Sequence, residues 1–382
     1  MTIQKMKFGM FLGPFHRIGE NPTLALDRDL ELLQWIDWLG YDEAWIGEHS
    51  SAGWETISAP ELFIATAAER TKHIKLGTGV IGLPYHHPLI LTNRMILLDH
   101  LTKGRMMLGV GPGTLLPDAY MIGSDPLLQR KRMAESLDII MKLLTESEPI
   151  THKSDWFTLN EAFIHLRPYS TPHFPIAVAA SQSPSGLILA GRHGTGVLSL
   201  ANLSDSFASN LNDFWKAAED SAEQHNKKVS RQEWKLALQV HIAETRKDAI
   251  KQARKSAGFL QREYFEKTLG FPPMEGSIDK IVDQMIETGQ CCIGTPDDLI
   301  NAIHHLDEMS GGFGGLLIME TELGNREQVR RSYELIARYV MPQFQDSIRN
   351  LKQSIEWSKA KAPDFAKLTK KTINKANKEK TK

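Results

Sequence analysis

The chain has almost no cysteine. Among 382 residues there are two, Cys291 and Cys292, and they are adjacent. Neighbouring cysteines neither close a useful loop nor supply spaced metal ligands, so a disulfide framework is excluded. The sequence also lacks a signal-peptide core and any uninterrupted apolar run of about 18 residues. We therefore expect a soluble cytoplasmic protein without a membrane segment.

Charge of either sign is nearly balanced over the whole chain. The formal net charge is -1, so no overall basic field would attract nucleic acid. Residues 358–382, however, carry nine lysines against Asp364 and Glu379. A lysine-rich segment with few large apolar residues cannot bury a core, and we expect it to be disordered at its end. We predict a folded domain over residues 1–345 and a C-terminal extension over residues 346–382.

Several motifs of nucleotide-binding and hydrolytic proteins are missing. The connection after the first predicted strand lacks the G-x-G-x-x-G fingerprint of dinucleotide-binding folds. The chain has no G-x-S-x-G serine elbow, no H-E-x-x-H zinc motif and no G-x-x-x-x-G-K-[ST] phosphate loop. His86 and His87 are adjacent, and no third ligand has a recognisable spacing, so we expect no metal site.

The chain does contain a regular alternation of strand and helix. We predict eight strands, each followed by a helix, at residues 7–12, 42–47, 74–81, 105–110, 175–180, 196–200, 234–242 and 315–319. This order is typical of the (β/α)8 TIM barrel, an α/β fold. An open doubly wound sheet is the alternative, and the missing dinucleotide fingerprint disfavours it. Residues 149–166 are predicted as a hairpin insertion after the fourth helix, and residues 270–294 as an irregular excursion before the seventh.

The second strand ends in two titratable side chains, Glu48 and His49. Loops at the carboxyl ends of barrel strands carry the chemistry of such folds, and histidine has a pKa suited to proton transfer near neutral pH. The alternative is that His49 only makes hydrogen bonds inside the barrel mouth. The sequence of this segment alone favours neither interpretation.

Two further strand ends indicate ligand contact. Glycines within the segment 76–80 indicate close approach of a ligand or of another backbone, although a barrel-packing glycine or a bulge is the alternative. Ser181, Ser183, Ser185 and Gly186 precede a predicted helix, whose free N–H groups favour an anion such as phosphate. Ordinary N-capping by one serine is the alternative there.

Three segments together resemble the bacterial luciferase-like flavin-dependent monooxygenases. They are Glu48-His49, the run Leu76-Gly77-Thr78-Gly79-Val80 with Leu83-Pro84 and His87-Pro88, and the run Leu98-Asp99-His100-Leu101-Thr102-Lys103-Gly104-Arg105. The resemblance covers roughly residues 6–345. Within the family the chain is most similar to limonene 1,2-monooxygenase-like proteins, through residues 11–26, 45–55 and 83–89.

The resemblance implies a cofactor, partners and an activity. The cofactor is reduced FMN, with FAD as a possibility, and a separate NAD(P)H:flavin reductase supplies it. With O2, such an enzyme oxygenates a small apolar organic molecule, for example a monoterpene such as limonene by epoxidation. Such proteins are commonly homodimers, and we expect a homo-oligomer here.

The resemblance also assigns residues. His49 and Glu48 are the candidate catalytic residues, and Gly79–Val80 matches a non-proline cis peptide against the flavin ring. The candidate cofactor-binding residues are Gly79, Val80, Gly111, Tyr120, Ser181, Ser183, Ser185 and Gly186. The candidate substrate-pocket residues are Phe15, His16, Trp54, Leu83, Tyr85 and Met121.

The chain departs from luciferase at the phosphate clamp. Gly111 and Pro112 stand where luciferase has a reactive cysteine and a phosphate-binding arginine, and Ser50 replaces its second histidine. We therefore expect flavin chemistry without light emission. Two alternatives remain open, namely an F420-dependent oxidoreductase on the same barrel, with Arg192 as an available cation, and a non-catalytic flavin-binding protein.

Overall fold

The structure is a computed structural model that describes residues 5–13, 15–113, 115–180 and 184–380. Its strands are β1 Lys7–Leu12, β2 Glu43–Ile46, β3 Lys75–Thr78, β4 Ile81–Gly82, β5 Met106–Gly111, β6 Ile150–Lys153, β7 Thr158–Ala162, β8 Ile176–Ala179, β9 Gly196–Leu200, β10 Trp234–Ile242, β11 Cys291–Gly294 and β12 Gly315–Glu320.

The α-helices are α1 Pro22–Leu39, α2 Pro60–Arg70, α3 Pro88–Leu101, α4 Leu116–Ile122, α5 Gln129–Thr145, α6 Ser185–His193, α7 Asp205–Gln224, α8 Arg246–Leu260, α9 Ile278–Glu287, α10 Pro296–Ser310, α11 Arg326–Leu335, α12 Met341–Phe344 and α13 Arg349–Lys380. A π-helical segment, Gln261–Thr268, continues α8. Within the described ranges, none of the helices is both long and apolar enough to cross a lipid bilayer.

Eight parallel strands close into a barrel. Their order is β1-β2-β3-β5-β8-β9-β10-β12, and β12 returns to pair with β1 from Lys7↔Gly315 to Leu12↔Glu320. The helices that follow the strands pack around this sheet, which confirms the predicted TIM barrel. The hairpin insertion is also confirmed, because β6 and β7 pair antiparallel in a separate two-stranded sheet.

Alternate strand residues fill the barrel, as the period of two requires. The buried interior cluster consists of Trp45, Met107, Ala177, Leu198, Ala237 and Leu317. The partly buried side chains of Phe11, Val80 and Met319 pack on this cluster. All three lie at or just beyond the carboxyl ends of strands, so they form an apolar floor at the mouth of the barrel.

The segment predicted as an irregular excursion is more regular than expected. It contains helix α9 and strand β11, which pairs in parallel with the end of β10 from Gln239↔Cys291 to Ile242↔Gly294. Buried Ile281, Val282 and Met285 of α9 pack against residues of α8. Glycines lie near both ends of the segment, but the apolar residues of α9 recur at helical spacing, and this spacing determines the local structure.

The described part of the C-terminal extension is helical. Residues 349–380 form the single helix α13, and its described side chains, which end at residue 378, are all exposed. Lysine and alanine have high helix propensity, and Leu351, Ile355, Phe365 and Ile373 recur at helical spacing. The segment thus has a helical stripe, although no packing against the barrel buries it.

Candidate active site

His49 lies just beyond the carboxyl end of β2, between two carboxylates. Its Nδ1 lies 3.0 Å from Oδ2 of Asp118, and its Nε2 lies 3.3 Å from Oε2 of Glu55. Asp118 comes from the short helix α4 after β5, whereas Glu55 lies on the loop after β2. Both carboxylates are buried, with side chains 5% and 7% exposed, and His49 is 24% exposed. The histidine therefore keeps a partly open position above a buried acidic pair.

The electrostatics of this cluster favour a charged imidazole. Burial alone would lower the pKa of His49, but the hydrogen bond with Asp118 and the charges of Glu55, Asp118 and Glu48 outweigh it and raise the pKa. Burial would likewise raise the pKa of Asp118, yet its bonds to His49 and to the Ser50 N–H lower it. The cluster thus pairs a cation with an anion under partial burial.

Glu48 does not hydrogen-bond to its neighbour His49. Its Oε1 lies 2.6 Å from Nε2 of His86, and its Oε2 accepts the Gly82 N–H at 2.8 Å. Arg94 lies on the other side of His86, with 3.1 Å between its guanidinium nitrogen and Nδ1. Glu48 therefore anchors the loop after β3, and it reaches His49 only through its charge.

The residues predicted to face the flavin ring form part of the mouth. The Gly79–Val80 peptide bond is cis, as the resemblance implied. A Cβ atom added at Gly111 would lie 2.5 Å from Cγ2 of Val80 and 3.8 Å from Cβ of Ala179. The absence of a side chain at Gly111 therefore allows Val80 to lie flat on the floor, where its own side chain is partly exposed.

The serine-rich loop is described only from Pro184 onwards, and Ser181 and Ser183 lie outside the described residues. Ser185 is the first residue of α6 and Gly186 the second. A Cβ atom at Gly186 would lie 2.5 Å from the carbonyl oxygen of Ala179. Glycine at this position thus brings the N-terminus of α6 close to the carboxyl end of β8, beside the mouth.

Two of the predicted pocket residues join one aromatic wall. Phe15 packs edge-on against Tyr264, with 4.9 Å between ring centroids, and Trp54 lies 6.0 Å from the same ring. The Trp54 indole N–H donates to the Thr268 hydroxyl at 3.2 Å. Tyr264 and Thr268 belong to the π-helical segment, which therefore covers this side of the site.

The side chains of three other predicted pocket residues make contacts of a different kind. His16 is buried between Asp29, 2.8 Å from its Nε2, and Thr56, 2.7 Å from its Nδ1, so it serves the packing of α1. Leu83 is fully buried in the core. Tyr85 packs on Gly82 and Gly113 and accepts a hydrogen bond from Gln129.

The two predicted residues on α4 face outwards. Tyr120 is 87% exposed and Met121 is 66% exposed, whereas Asp118 and Ala119 of the same helix are buried. Pro117 and the glycines before and after this segment are typical of a loop, so helix α4 was not predicted. The buried face of α4 consequently carries Asp118, a side chain of the candidate site that the sequence patterns missed.

Two more side chains of the site were missed. Glu55 belongs to one of the segments that resemble the family, and Tyr264 lies in a long helical run without a motif. His49 was predicted because it follows the end of a strand, and neither Glu55 nor Tyr264 has such a position. The hydrogen bond from the Tyr264 hydroxyl to Glu55 joins residues 209 positions apart, and no local pattern reports a contact of that range.

A cavity of about 420 Å³ opens beside the ends of β1 and β12. Its wall includes Glu322, which forms ion pairs with both Arg17 and Arg28. Glu320 also lines it and is buried. Phe15 of the aromatic wall lines it as well, so the cavity borders the candidate site.

The model of the family described as luciferase-like monooxygenase matches residues 6–311. Among curated proteins, 4-hydroxyprotoasukamycin monooxygenase of Streptomyces nodosus subsp. asukaensis is 44% identical over 360 residues, which cover 93% of this chain and 96% of that protein. Limonene 1,2-monooxygenase of Rhodococcus erythropolis is 42% identical over 340 residues, covering 89% and 87%.

Solved structures share the fold. The oxygenating constituent of 3,6-diketocamphane monooxygenase from Pseudomonas putida, a type II Baeyer-Villiger monooxygenase in complex with FMN, superposes with a TM-score of 0.75 at 24% identity. The superposition covers 89% of this chain and 99% of that one. The same arrangement of barrel and helices is thus found in proteins of low sequence identity.

Proposed function

This chain belongs to the luciferase-like monooxygenase family, and we propose that it uses reduced FMN and O2 to oxygenate a small apolar organic substrate. The observation that carries the proposal is the position of His49. The His49 imidazole, held by Asp118 and Glu55, lies beyond a strand end at the same end of the TIM barrel as the apolar floor. A proton-handling group next to an apolar surface is what an oxygenating site requires.

The residues at the mouth fit a flat aromatic cofactor. Phe11, Val80 and Met319 present partly exposed apolar side chains, and Gly111 adds none that would rise above them. In our proposal Gly79, Val80 and Gly111 support the ring of FMN. The N-terminus of α6, with Ser181, Ser183, Ser185 and Gly186, binds the phosphate through backbone N–H groups and hydroxyls. Bound reduced flavin would supply the electrons that activate O2.

The chain's own side chains have two tasks in this proposal. One oxygen atom of O2 enters the substrate and the other leaves as water, so protons must reach oxygen, and His49 is placed to donate one. Phe15, Trp54 and Tyr264 form an apolar wall that keeps bulk water from the site. Excluding water strengthens the electrostatic interactions within it and limits unproductive reactions.

We propose an alkene-containing molecule of monoterpene size, such as limonene, as the substrate, with epoxidation as the reaction. The support comes from limonene 1,2-monooxygenase, to which the chain is 42% identical. The reduced flavin would come from a separate NAD(P)H:flavin reductase. This is supported by a 26% identical relative named as the oxygenase component of a flavin-dependent trigonelline monooxygenase. Both cysteines are free and buried, which is consistent with a reducing cytoplasm.

We also propose that the protein is a homodimer. Ile90, Leu97 and Leu101 recur on one face of α3, and Leu62 lies on the adjacent helix α2. All four side chains are more than half exposed. An exposed apolar surface shared by two packed helices is typical of a subunit interface.

The test begins with the cofactor. Titration of the protein with reduced FMN under anaerobic conditions should show saturable binding, whereas F420H2 should not compete. Addition of O2 should then give oxygenated product from a panel of monoterpenes, ketones and long-chain aldehydes, detected by mass spectrometry. Hydride transfer with F420H2 in the absence of O2 would contradict the proposal. Tight flavin binding without any product across the panel would instead indicate a non-catalytic flavin-binding protein.

The role of His49 is tested separately with His49→Ala. We expect product formation to slow far more than FMN binding weakens, because the imidazole handles protons and the floor binds the ring. Equal losses in rate and in affinity would show that His49 only positions the cofactor.

A further inference from the structure

Both ring nitrogens of His49 face a carboxylate oxygen. Nδ1 lies 3.0 Å from Asp118, and Nε2 lies 3.3 Å from Glu55. A neutral imidazole has one N–H and one lone pair, so one of the two nitrogens would direct its lone pair at an anion. The doubly protonated ring instead donates an N–H to Asp118 and brings its second charged nitrogen within ion-pair distance of Glu55. Two carboxylates around one ring therefore favour the imidazolium over either neutral tautomer.

The second oxygen of each carboxylate also accepts a hydrogen bond. The second oxygen of Asp118, Oδ1, accepts the Ser50 N–H at 3.1 Å. The second oxygen of Glu55, Oε1, accepts the hydroxyl of Tyr264, which is 3% exposed. Burial and the nearby Glu55 raise the pKa of Tyr264, so its hydroxyl stays protonated and donates. Neither carboxylate can turn away from His49 without losing a buried hydrogen bond.

The surrounding charges act in the same direction. Besides Asp118 on α4 and Glu55 on the loop, Glu48 at the end of β2 adds a negative charge, although it is hydrogen-bonded to His86. Tyr85 and Tyr264, which feel the charge of Asp118, are neutral. Burial raises the pKa of Glu55, whereas His49 and the Tyr264 hydroxyl oppose that rise. The balance around the ring is negative.

We propose that Asp118 and Glu55 hold His49 as an imidazolium in the resting protein, with Tyr264 as a positioning residue for Glu55, so that His49 enters the reaction as a proton donor. The protonation state rests on the two carboxylates beside the ring and on their charges. The donor role rests on the proposed monooxygenase function. In this proposal three segments converge on one ring: the loop after β2, helix α4 and the π-helical segment.

The direction of the pH dependence follows from the raised pKa of His49. The ring stays charged above its usual value of 6.5, so a rate that needs the imidazolium is constant at lower pH and falls as pH rises through the raised value. Removing either carboxylate lowers the pKa of His49 and moves this fall to lower pH.

The first experiment measures protonation without turnover. Histidine ring ¹⁵N and ¹³C signals are followed by NMR against pH, with the His49 signal assigned by its loss in His49→Ala. We expect Glu55→Gln and Asp118→Asn each to weaken proton binding at His49 by about 10-fold or more, and Tyr264→Phe by less. The matched control is Glu135→Gln, which removes the carboxylate 2.8 Å from His152 in the hairpin and should leave His49 unchanged.

The proposal would be overturned if wild-type His49 lost its proton at or below pH 6.5. It would also be overturned if His49 titrated at the same pH in wild type, Glu55→Gln and Asp118→Asn. If one substitution prevents folding, as judged by circular dichroism, the other carboxylate variant and Tyr264→Phe carry the same comparison. An unshifted His49 in all variants that fold overturns the proposal as well.

The second experiment tests the donor role. We expect the wild-type kcat/KM for oxygenation to fall at high pH, Glu55→Gln to move that fall to lower pH, and Glu135→Gln to leave it in place. A rate that rises with pH as His49 deprotonates would overturn the donor role. If the protein oxygenates no substrate but the NMR shifts occur, the proposed function fails while the assignment of the imidazolium stands.

Discussion

At the scale of single residues, Gly111 and Val80 define the floor of the mouth by contact. The two residues come from β5 and from the turn after β3, and there is no room between them for a further methyl group. An added Cβ at Gly111 would lie 2.5 Å from Cγ2 of Val80. Because cores resist overpacking, an alanine at position 111 would push the Val80 side chain out of its place on the floor.

Gly111→Ala should therefore weaken FMN binding. Overpacking costs about 1–3 kcal/mol, and displacement of Val80 into the mouth should reduce FMN affinity by about 10-fold or more. The double variant Val80→Ala/Gly111→Ala removes the overlap and should recover most of the affinity. Flavin fluorescence quenching measures both. Equal affinities in the single and double variants would show that the overlap does not govern binding.

Glu320 is a buried acid at the end of β12 with an unusual proton affinity. Burial raises its pKa to about 7, Glu322 and Asp29 add to the rise, and the Glu322 N–H, 2.8 Å from Oε1, opposes it. The unfolded chain would bind that proton with a pKa near 4.5. The folded state therefore holds more protons between these two values, so stability falls as pH rises through this window.

Glu320→Gln should remove this dependence. Relative to wild type, the variant's free energy of unfolding should increase by up to roughly 3 kcal/mol between about pH 5 and about pH 8. Urea denaturation at both pH values measures it, with the exposed Glu223→Gln as the control. A constant difference between Glu320→Gln and wild type across this range would show that Glu320 is ionised throughout.

The position of His49 was predictable at this scale, and its partners were not. His49 directly follows a buried strand, so its position at the mouth follows from chain order alone. Asp118, Glu55 and Tyr264 reach it through a short helix, a loop and a π-helical segment. Which way a side chain on such a segment points depends on packing that no local spacing encodes.

At the scale of elements, helix α10 begins with a complete capping box. The Asp298 N–H donates to the Thr295 hydroxyl, and the Asp298 side chain accepts the Thr295 N–H at 2.8 Å. Pro296 occupies the first turn, where its missing N–H costs nothing. Ser277, at the start of α9, occupies the same cap position but makes no side-chain cap bond.

Thr295→Ala should lower the free energy of unfolding by about 1 kcal/mol, because the Asp298 N–H loses the hydroxyl that accepts its hydrogen bond. Ser277→Ala should cost clearly less, since no cap bond is lost. Thermal or urea denaturation of both variants compares the two helix starts. Equal losses of stability in Thr295→Ala and Ser277→Ala would show that the capping box at Thr295 does not stabilise helix α10.

Elements with strong periodicity or caps were predicted closely. Strand β10 was predicted at residues 234–242 and spans Trp234–Ile242. Prediction failed where a short segment hid its helical spacing, as in α4. In α1, Trp38 is 68% exposed and stacked on Trp35.

At the scale of the whole molecule, the proposed dimer gives a prediction of its own. A carboxylate on the α2–α3 surface would have to be buried unpaired in the interface. Leu62→Glu combined with Leu97→Glu should therefore convert a dimer of twice 43.0 kDa into a monomer. Leu127→Glu alters a side chain that is 91% exposed on a different surface and should leave the mass unchanged.

Sedimentation equilibrium or light scattering provides the mass. A wild-type protein that is already monomeric would refute the proposed interface, and so would a double variant that remains dimeric. The barrel itself was predictable at this scale, because eight strands alternating with helices have few closed arrangements. The interface is not, since exposed leucines become a contact only when a second copy covers them.

The exposed helix α13 affects how the size of this protein is measured. Its 32 residues form a rod of roughly 48 Å at 1.5 Å per residue. A rod of this length adds friction out of proportion to its mass, so the molecule diffuses and elutes like a larger particle. The apparent mass of a monomer in gel filtration would thus exceed its true mass, and the lysines along the helix offer trypsin its first cleavage sites. A tryptic digest that trims the tail should bring the apparent mass down to that of the barrel.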